Sequence, residues 1–464
     1  MTFIGRIRYQ AKRAFDTIRN EKFKYNLLQA IPFWIASLLT GLVAVVYTRL
    51  FALAEKGTAY IVHLHLWLFF LITPVTFVLA WWLVRQFAPY ARGSGIPQVM
   101  ASIELATPKY NAKVNQLLSL RILFIKILSS LIMAFGGGVI GREGPTIQVA
   151  GSIFRKVNEW LPKWWPRVSK RNMIMTGAAA GLAAAFNTPL GGIVFAVEEL
   201  TRTHISYFKT ALFTAVIIAG LTAQALLGPY LYLGYPDVSH LSGSIFFGVI
   251  LVAIPTGLGG AFMAQCILKL FKWKATFTLT RQHVFYVVGC ALIIAGLAFF
   301  IDERVMGSGK ELMTTALFTN QKYNSWYMPL LRIVGPIFSF TTGASGGVFA
   351  PALSAGASVG ATISGWMHLS AGNTNLVILS GMVGFLTGVT RTPFTSAILV
   401  LEMTDRHNVI FHLMMAGMTA SLVAMLIDRH SFYDHLKYQY LREIVGEDAP
   451  EITHPQPEAI DPEE

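Results

Sequence analysis

The chain has 464 residues, of which 54% are hydrophobic and only 13% are charged, and its formal net charge is +13. Soluble globular domains carry about 25% charged residues, so this composition excludes an ordinary soluble protein and favours one that crosses a membrane several times. The basic excess is a topology signal, because lysine and arginine concentrate on the cytoplasmic side of membrane proteins. No nucleic-acid-binding motif accompanies it.

The first predicted elements are a basic N-terminal segment and a series of apolar windows. A helix that spans a bilayer needs roughly 20 apolar residues. Five windows clearly reach this length: Leu27–Ala54, Tyr60–Ala88, Phe208–Leu227, Ile245–Leu268 and Val284–Ile301. We therefore predict a multi-pass protein of the inner (plasma) membrane, with both the N-terminus and the C-terminus in the cytoplasm.

Three motifs of the first half recur in the second half in the same order. Ser94 recurs as Ser308, Pro145 as Pro351 and Pro189 as Pro393, at offsets of 214, 206 and 204 residues. Duplicated halves with broken segments at matching positions are typical of transporters whose site lies between the repeats. The predicted division is an N-terminal segment (1–26), a first membrane repeat (27–228), a loop (229–242), a second membrane repeat (243–436) and an acidic tail (437–464).

The most informative break in the apolar sequence is Gly141-Arg142-Glu143-Gly144-Pro145. A carboxylate within membrane sequence is costly unless it has partners or a function. Pro145 suits the first turn of a helix, and the glycines leave the backbone open just before it. The pattern predicts a helix that begins within the membrane and directs its free N–H groups at a negative charge, either Glu143 or an anion.

Four features in this order resemble the CLC family of chloride channels and chloride/proton antiporters. They are Gly93-Ser94-Gly95-Ile96-Pro97, Gly141-Arg142-Glu143-Gly144-Pro145, Gly347-Val348-Phe349-Ala350-Pro351 and the late Tyr433. The resemblance implies an all-α polytopic fold of two inverted repeats with broken and re-entrant helices, of the bacterial type without a C-terminal regulatory domain. It also implies a homodimer that binds chloride as its substrate and needs no cofactor.

The resemblance further implies a chloride site. The hydroxyls of Ser94 and Tyr433 and the backbone amides of Val348 and Phe349 would bind the anion. From the residues alone, Ser94 reads equally as the N-cap of its own helix, and Tyr433 as an aromatic residue at the membrane interface.

Glu143 corresponds to the family's gating glutamate. Its ionised carboxylate would occupy the anion path, and its protonated form would leave it, so that one side chain couples protons to anions. Gly141, Arg142, Gly144 and Pro145 would support it. The alternative is a structural glutamate paired with Arg142 or a lysine.

Three further charged residues are candidates. Glu199 corresponds to the family's internal proton-transfer glutamate, which separates proton-coupled members from channels. Adjacent carboxylates cannot face one way on a helix, so Glu198 needs a different role, either anchoring the local structure or holding water. Lys126 is isolated in the apolar run Ile122–Phe135 and is predicted to face the protein interior, where it raises the local positive potential.

The predicted function is secondary active exchange of chloride for protons. Two alternatives remain: a passive voltage- or proton-gated chloride channel of the same fold, and an exchanger for another anion such as nitrate or fluoride. Ser94 favours chloride, because nitrate-selective relatives tend to carry proline there. An enzyme is not expected, since no nucleophile–base pair is apparent. No metal site is predicted either, because histidines such as His63 and His65 read as interface or packing residues.

Overall fold

Long apolar helices dominate the structure, as the composition predicts. The computed structural model describes residues 9, 12–13, 15–17, 19–200, 209–228 and 231–446. Much of the basic segment, His204 and residues 447–464 of the acidic tail lie outside the described residues. Within the described ranges, eight helical stretches are long and apolar enough to cross a bilayer, and the only β-structure is a pair of isolated bridges.

Each half has nine α-helices within the described residues. Those of the first half are α1 (Glu21–Leu64), α2 (Phe69–Phe87), α3 (Ile96–Leu105), α4 (Val114–Leu117), α5 (Leu120–Phe135), α6 (Glu143–Trp160), α7 (Lys170–Phe186), α8 (Pro189–Phe195) and α9 (Lys209–Leu227). Those of the second half are α10 (Ile245–Lys274), α11 (Thr280–Phe300), α12 (Lys310–Phe318), α13 (Met328–Thr341), α14 (Phe349–Trp366), α15 (Ala371–Thr390), α16 (Pro393–Thr404), α17 (Ile410–Met425) and α18 (Phe432–Val445).

Helix boundaries differ from the sequence prediction in two places. The predicted span Tyr60–Ala88 is not continuous, because α1 runs on to Leu64 and α2 begins only at Phe69. The predicted boundary at residue 436 falls inside α18, which continues to Val445. Apolar windows locate membrane segments well, but they do not show where the backbone turns.

The two halves use equivalent helix pairs, as the internal repeat predicts. In the first half, α6 packs along α7 and α1 packs along α9; in the second half, α14 packs along α15 and α10 along α17. Helices α7 and α15 form the centre, and α15 is buried along its whole length. A side chain at either Gly356 or Gly381 would overlap the facing backbone, so glycine is what lets α14 and α15 approach this closely.

Candidate anion and proton site

Two pairs of backbone hydrogen bonds join the broken segments of the two halves. Gly93 donates to Ala344 O at 2.9 Å and accepts from Gly346 N at 3.1 Å. Gly141 and Gly347 exchange bonds of 2.8 and 2.7 Å. These are the two isolated bridges of the structure. Motifs that are 206 and 252 residues apart in sequence therefore meet at one place, between the repeats.

Three helices begin at this meeting point. Helix α3 starts after Gly95, whose φ of +105° is readily adopted only by glycine, and α6 and α14 start at Glu143 and Phe349. The first N–H groups of a helix lack intrahelical partners and carry its positive dipole end. The prediction that these motifs open helices is confirmed, and Pro145 lies in the first turn of α6.

Ser94 and Tyr433 are both buried near this point. Their side-chain oxygens find no hydrogen-bond partner among the described residues, although Tyr433 lies close enough to Ser94 to interact with it. Gly95, and not Ser94, is the N-cap of α3, so the alternative that Ser94 caps its own helix is wrong. The Tyr433 ring stacks on Phe349 with centroids 6.2 Å apart. Leaving a buried hydroxyl unpartnered costs about 1–3 kcal/mol, which an accepting ligand would recover.

Glu143 is buried at the first position of α6, with 1% of its surface exposed. Its carboxylate lies beside Gly141 and Ala350, near the N–H groups that open α6 and α14. Tyr232 donates a long hydrogen bond of 3.5 Å to its Oε1. The neighbouring Arg142 donates to Thr48, and the described part of the chain shows no ion pair between Arg142 and Glu143. The carboxylate thus stands at helix N-termini without a direct ion pair.

Lys126 is fully buried in α5, and its ammonium group faces the segment that precedes Ser94. Its Nζ donates to Gly93 O at 2.7 Å and to Ala91 O at 3.0 Å. These bonds fix the turn that leads into α3. A buried cation also favours nearby negative charge.

Ser308, the counterpart of Ser94 in the second half, already has a hydrogen-bond partner within the protein. Glu55 accepts from Ser308 Oγ at 2.6 Å and from Ser308 N at 3.2 Å. Both residues line a cavity of about 540 Å³, which Lys310 also lines. The Lys310 ammonium lies 4.7 Å from the Tyr232 ring centroid, so one aromatic ring separates the cavity lining from Glu143.

Glu198 and Glu402 cap each other's helices across the repeat. Glu198 accepts from the Phe394 and Thr395 amides of α16 at 3.2 and 2.6 Å. Glu402 accepts from the Leu190 and Gly191 amides of α8 at 3.0 and 2.7 Å. Of the two roles left open by the sequence, Glu198 has the anchoring one in the structure.

We expect Glu402→Ala to lower the free energy of unfolding by about 0.5–2 kcal/mol, the usual effect of losing an N-terminal cap. Thermal unfolding of the purified protein in detergent measures the change. Glu303→Ala, which removes an exposed acid from the short 3₁₀ helix Glu303–Val305, is the matched control. Equal unfolding temperatures for the two variants would show that the cap contributes nothing.

Glu199 faces a different place from its neighbour Glu198. Both lie on the π-helical turn Ala196–Leu200 that follows α8. Glu199 lines a small cavity of about 40 Å³ together with Glu104, Arg171 and Lys437. Lys437 binds Glu104 at 2.9 Å and lies one turn after Tyr433 on α18.

Sequence reasoning missed several residues of this region. Tyr232 falls in the loop between the repeats, where only an aromatic composition marks it, and Lys437 falls in a segment assigned to the tail. The structure also brings together Asp428, His430 and His435, which offer metal-ligand atoms within 4.8 Å of one another. Their spacing in the sequence is the signal that could have found them.

The site combines unpartnered hydroxyls, converging helix N-termini and a buried glutamate. The family to which these features point is the one that a comparison of sequences finds. The family described as "Voltage gated chloride channel" matches residues 76–425, well over half of the chain. The chain belongs to the voltage-gated chloride channel family. This is the CLC family to which the motifs point.

Relatives in the CLC family match most of this chain at low sequence identity. The H(+)/Cl(-) exchange transporter ClcA of Cronobacter sakazakii is 29% identical over 418 residues, covering 86% of this chain and 87% of that protein. The H(+)/Cl(-) exchange transporter ClcA of Citrobacter koseri is 28% identical over 435 residues, covering 88% and 89%.

Solved structures in the CLC family share the fold. A slow cyanobacterial Cl-/H+ antiporter matches with a TM-score of 0.77 and 24% identity over 89% of this chain and 98% of that one. A CLC-type fluoride/proton antiporter matches with a TM-score of 0.74 and 21% identity, again over 89% and 98%. The predicted all-helical CLC fold is thereby confirmed.

Proposed function

We propose that this protein is a secondary active transporter that exchanges chloride for protons across a membrane. The observation that carries the proposal is the pair of buried hydroxyls, Ser94 and Tyr433, which accept or donate no hydrogen bond to another side chain or backbone group of the described residues where three helices begin. Two relatives that match most of the chain are named H(+)/Cl(-) exchange transporters.

The donors at this site suit an anion that must bind and leave again. Hydroxyls and the N–H groups of Val348 and Phe349 supply partial positive charge rather than a full countercharge. Binding is then favourable enough for entry and weak enough for release. Chloride is the substrate, and the protein itself supplies all the donors.

Glu143 couples the anion to the proton. When ionised, its carboxylate occupies the position at the start of α6 and α14 that an anion would take, and the helix N-termini attract it. When protonated, it loses that attraction and leaves the path. A proton that reaches Glu143 therefore opens the position for chloride, and chloride arrival favours the protonated, displaced side chain.

Glu199 serves protons by a separate route. It lines a cavity with Arg171 and Lys437, and Glu143 is not among the residues that line this cavity. Protons and anions can therefore use different entrances on one side and share the path near Glu143.

Flux in proteoliposomes tests the exchange. With a chloride gradient imposed and no proton gradient, we expect protons to move into the vesicles as chloride leaves, against the gradient that they build. A pH electrode and a chloride electrode record both fluxes together. Chloride flux without proton movement would favour the passive channel of the same fold.

The choice of anion needs its own measurement. Because the fold is shared with a fluoride/proton antiporter, the fold alone does not select chloride. We expect chloride-driven proton uptake to exceed uptake driven by nitrate or fluoride in the same vesicles, since Ser94 supplies a hydroxyl donor. A preference for fluoride or nitrate would overturn the chloride assignment and leave the exchange mechanism standing.

We also propose that the protein is a homodimer in the inner membrane with both termini in the cytoplasm. The resemblance to the family and the basic N-terminal segment support this arrangement. Crosslinking in vesicles and labelling of single cysteines placed near each end test it. A monomer, or labelling of the termini from outside the cell, would contradict it.

A further inference from the structure

Three side chains of the kinds that bind transition metals lie close together where α18 begins: Asp428 and His430 in the linker after α17, and His435 on α18 itself. Asp428, His430 and His435 each offer one ligand atom, and these atoms lie within 4.8 Å of one another. His435 Nε2 is 2.8 Å from Asp428 Oδ2, and His430 Nδ1 is 3.8 Å from Asp428 Oδ1. The side chain of His435 is 29% exposed, that of His430 is 30% exposed and that of Asp428 is 17% exposed, so the cluster is open to solvent.

The carboxylate of this cluster is held in place by neighbours that are not themselves ligands. Gln265 of α10 donates to Asp428 Oδ2, and the His430 backbone N–H donates to Oδ1 at 2.9 Å. The Arg391 guanidinium, at the end of α15, donates to the Asp428 carbonyl at 3.1 Å. Hydrogen bonds of this kind orient the ligands of metal sites. The linker is therefore fixed from two other helices.

We propose that Asp428, His430 and His435 form a binding site for a divalent transition-metal ion such as Zn²⁺. Two imidazoles and one carboxylate are a ligand set that Zn²⁺ and Cu²⁺ prefer, whereas Ca²⁺ and Mg²⁺ require more oxygen ligands. On binding, His435 Nε2 exchanges its hydrogen bond to Asp428 for a bond to the ion. A water molecule fills the fourth position, as in zinc sites with three protein ligands.

The site sits next to a residue of the anion path. Ser431, between the ligands His430 and His435, caps α18 by accepting from Asp434 N at 2.9 Å. Tyr433 lies in the same first turn of α18. An ion that ties the linker to His435 restrains this turn, and with it the Tyr433 hydroxyl. We therefore expect bound Zn²⁺ to slow anion passage; this second step rests on the proposed exchange, whereas metal binding itself does not.

Metal binding is tested first on the purified full-length protein in detergent. After chelation and dialysis against Zn²⁺, we expect one ion per chain by elemental analysis, and Co²⁺ in its place should give the visible absorption of a four-coordinate site. His435→Ala and Asp428→Asn should abolish both signals. Gln265→Ala should weaken the affinity about 10- to 100-fold, as for other residues that orient metal ligands.

His407→Ala is the matched control. His407 forms a similar pair with Asp405, at 3.2 Å, but the described residues supply no third ligand there. This variant should bind Zn²⁺ as the unchanged protein does. If His435→Ala does not yield folded protein by size-exclusion chromatography, His430→Ala takes its place, because that side chain is the most exposed of the three.

The proposal fails if Zn²⁺ binding survives His430→Ala and His435→Ala, or if Ca²⁺ or Mg²⁺ displaces Zn²⁺ at equal concentration. Transport measurements distinguish metal binding from its effect on anion passage. Zn²⁺ should slow chloride flux in the unchanged protein and not in His430→Ala. If bound Zn²⁺ leaves the chloride flux unchanged, only the link between the metal site and Tyr433 is refuted. If vesicles show no coupled flux even with chelator present, the proposed exchange is refuted.

Discussion

Replacing Glu143 with glutamine should abolish proton transport while chloride continues to flow. Glutamine keeps the shape of the side chain and its contact with Tyr232, but it cannot carry a proton or compete with chloride as an ion. In chloride-loaded vesicles we expect proton uptake to fall to that of protein-free vesicles. Chloride efflux should persist, because Ser94 and Tyr433 are unchanged.

Glu55→Gln is the matched control for this variant. Glu55 lies on α1 of the first half and holds Ser308, the second-half counterpart of Ser94, by two hydrogen bonds. We expect it to retain coupled exchange, since its hydrogen bonds go to Ser308 and to none of the proposed anion donors. If Glu55→Gln uncouples the fluxes and Glu143→Gln does not, the gate has been assigned to the wrong glutamate.

Glu199→Gln should also abolish proton transport, in this case through loss of the proposed proton-transfer residue and not of the gate. Part of the chloride flux should remain. The anion donors and Glu143 remain, but the cavity beside Arg171 and Lys437 loses the carboxylate that passes protons. We expect the ratio of protons to chloride to fall towards zero, recorded with the two electrodes in one vesicle preparation.

A second acid in the same cavity provides the comparison. Glu104 lines the cavity with Glu199 but is bound to Lys437 at 2.9 Å. The proposed proton-transfer residue is Glu199 and not Glu104, so Glu104→Gln should keep more coupling than Glu199→Gln. The opposite ranking of the two variants would move the proton-transfer role from Glu199 to Glu104.

The sequence predicted the parts of the site that depend on short motifs. Glycine and proline determine where a membrane helix can break, so the starts of α3, α6 and α14 could be placed within a residue or two. The repeat showed which breaks are equivalent. Buried polar residues in apolar runs, such as Lys126 and Glu143, were visible because they are costly there.

The remainder of the site depends on contacts that no local pattern encodes. Tyr232 reaches Glu143 from the loop between the repeats, and Glu55 reaches Ser308 from α1, 253 residues earlier. Glu198 and Glu199 are adjacent on one π-helical turn, and the partner that each one meets depends on the helices packed around that turn. For all of these side chains the partner depends on how the helices pack, and this packing involves both halves of the chain.

The reciprocal caps of Glu198 and Glu402 have a consequence for biosynthesis. The amides that Glu198 binds lie 196 and 197 residues later in the chain. At a synthesis rate of about 5–20 residues per second, the ribosome makes them roughly 10–40 s after the glutamate itself. The nascent first half therefore waits in the bilayer with this acid unsatisfied and with the first turn of α8 uncapped, until the second half is inserted and both helix ends are closed at once.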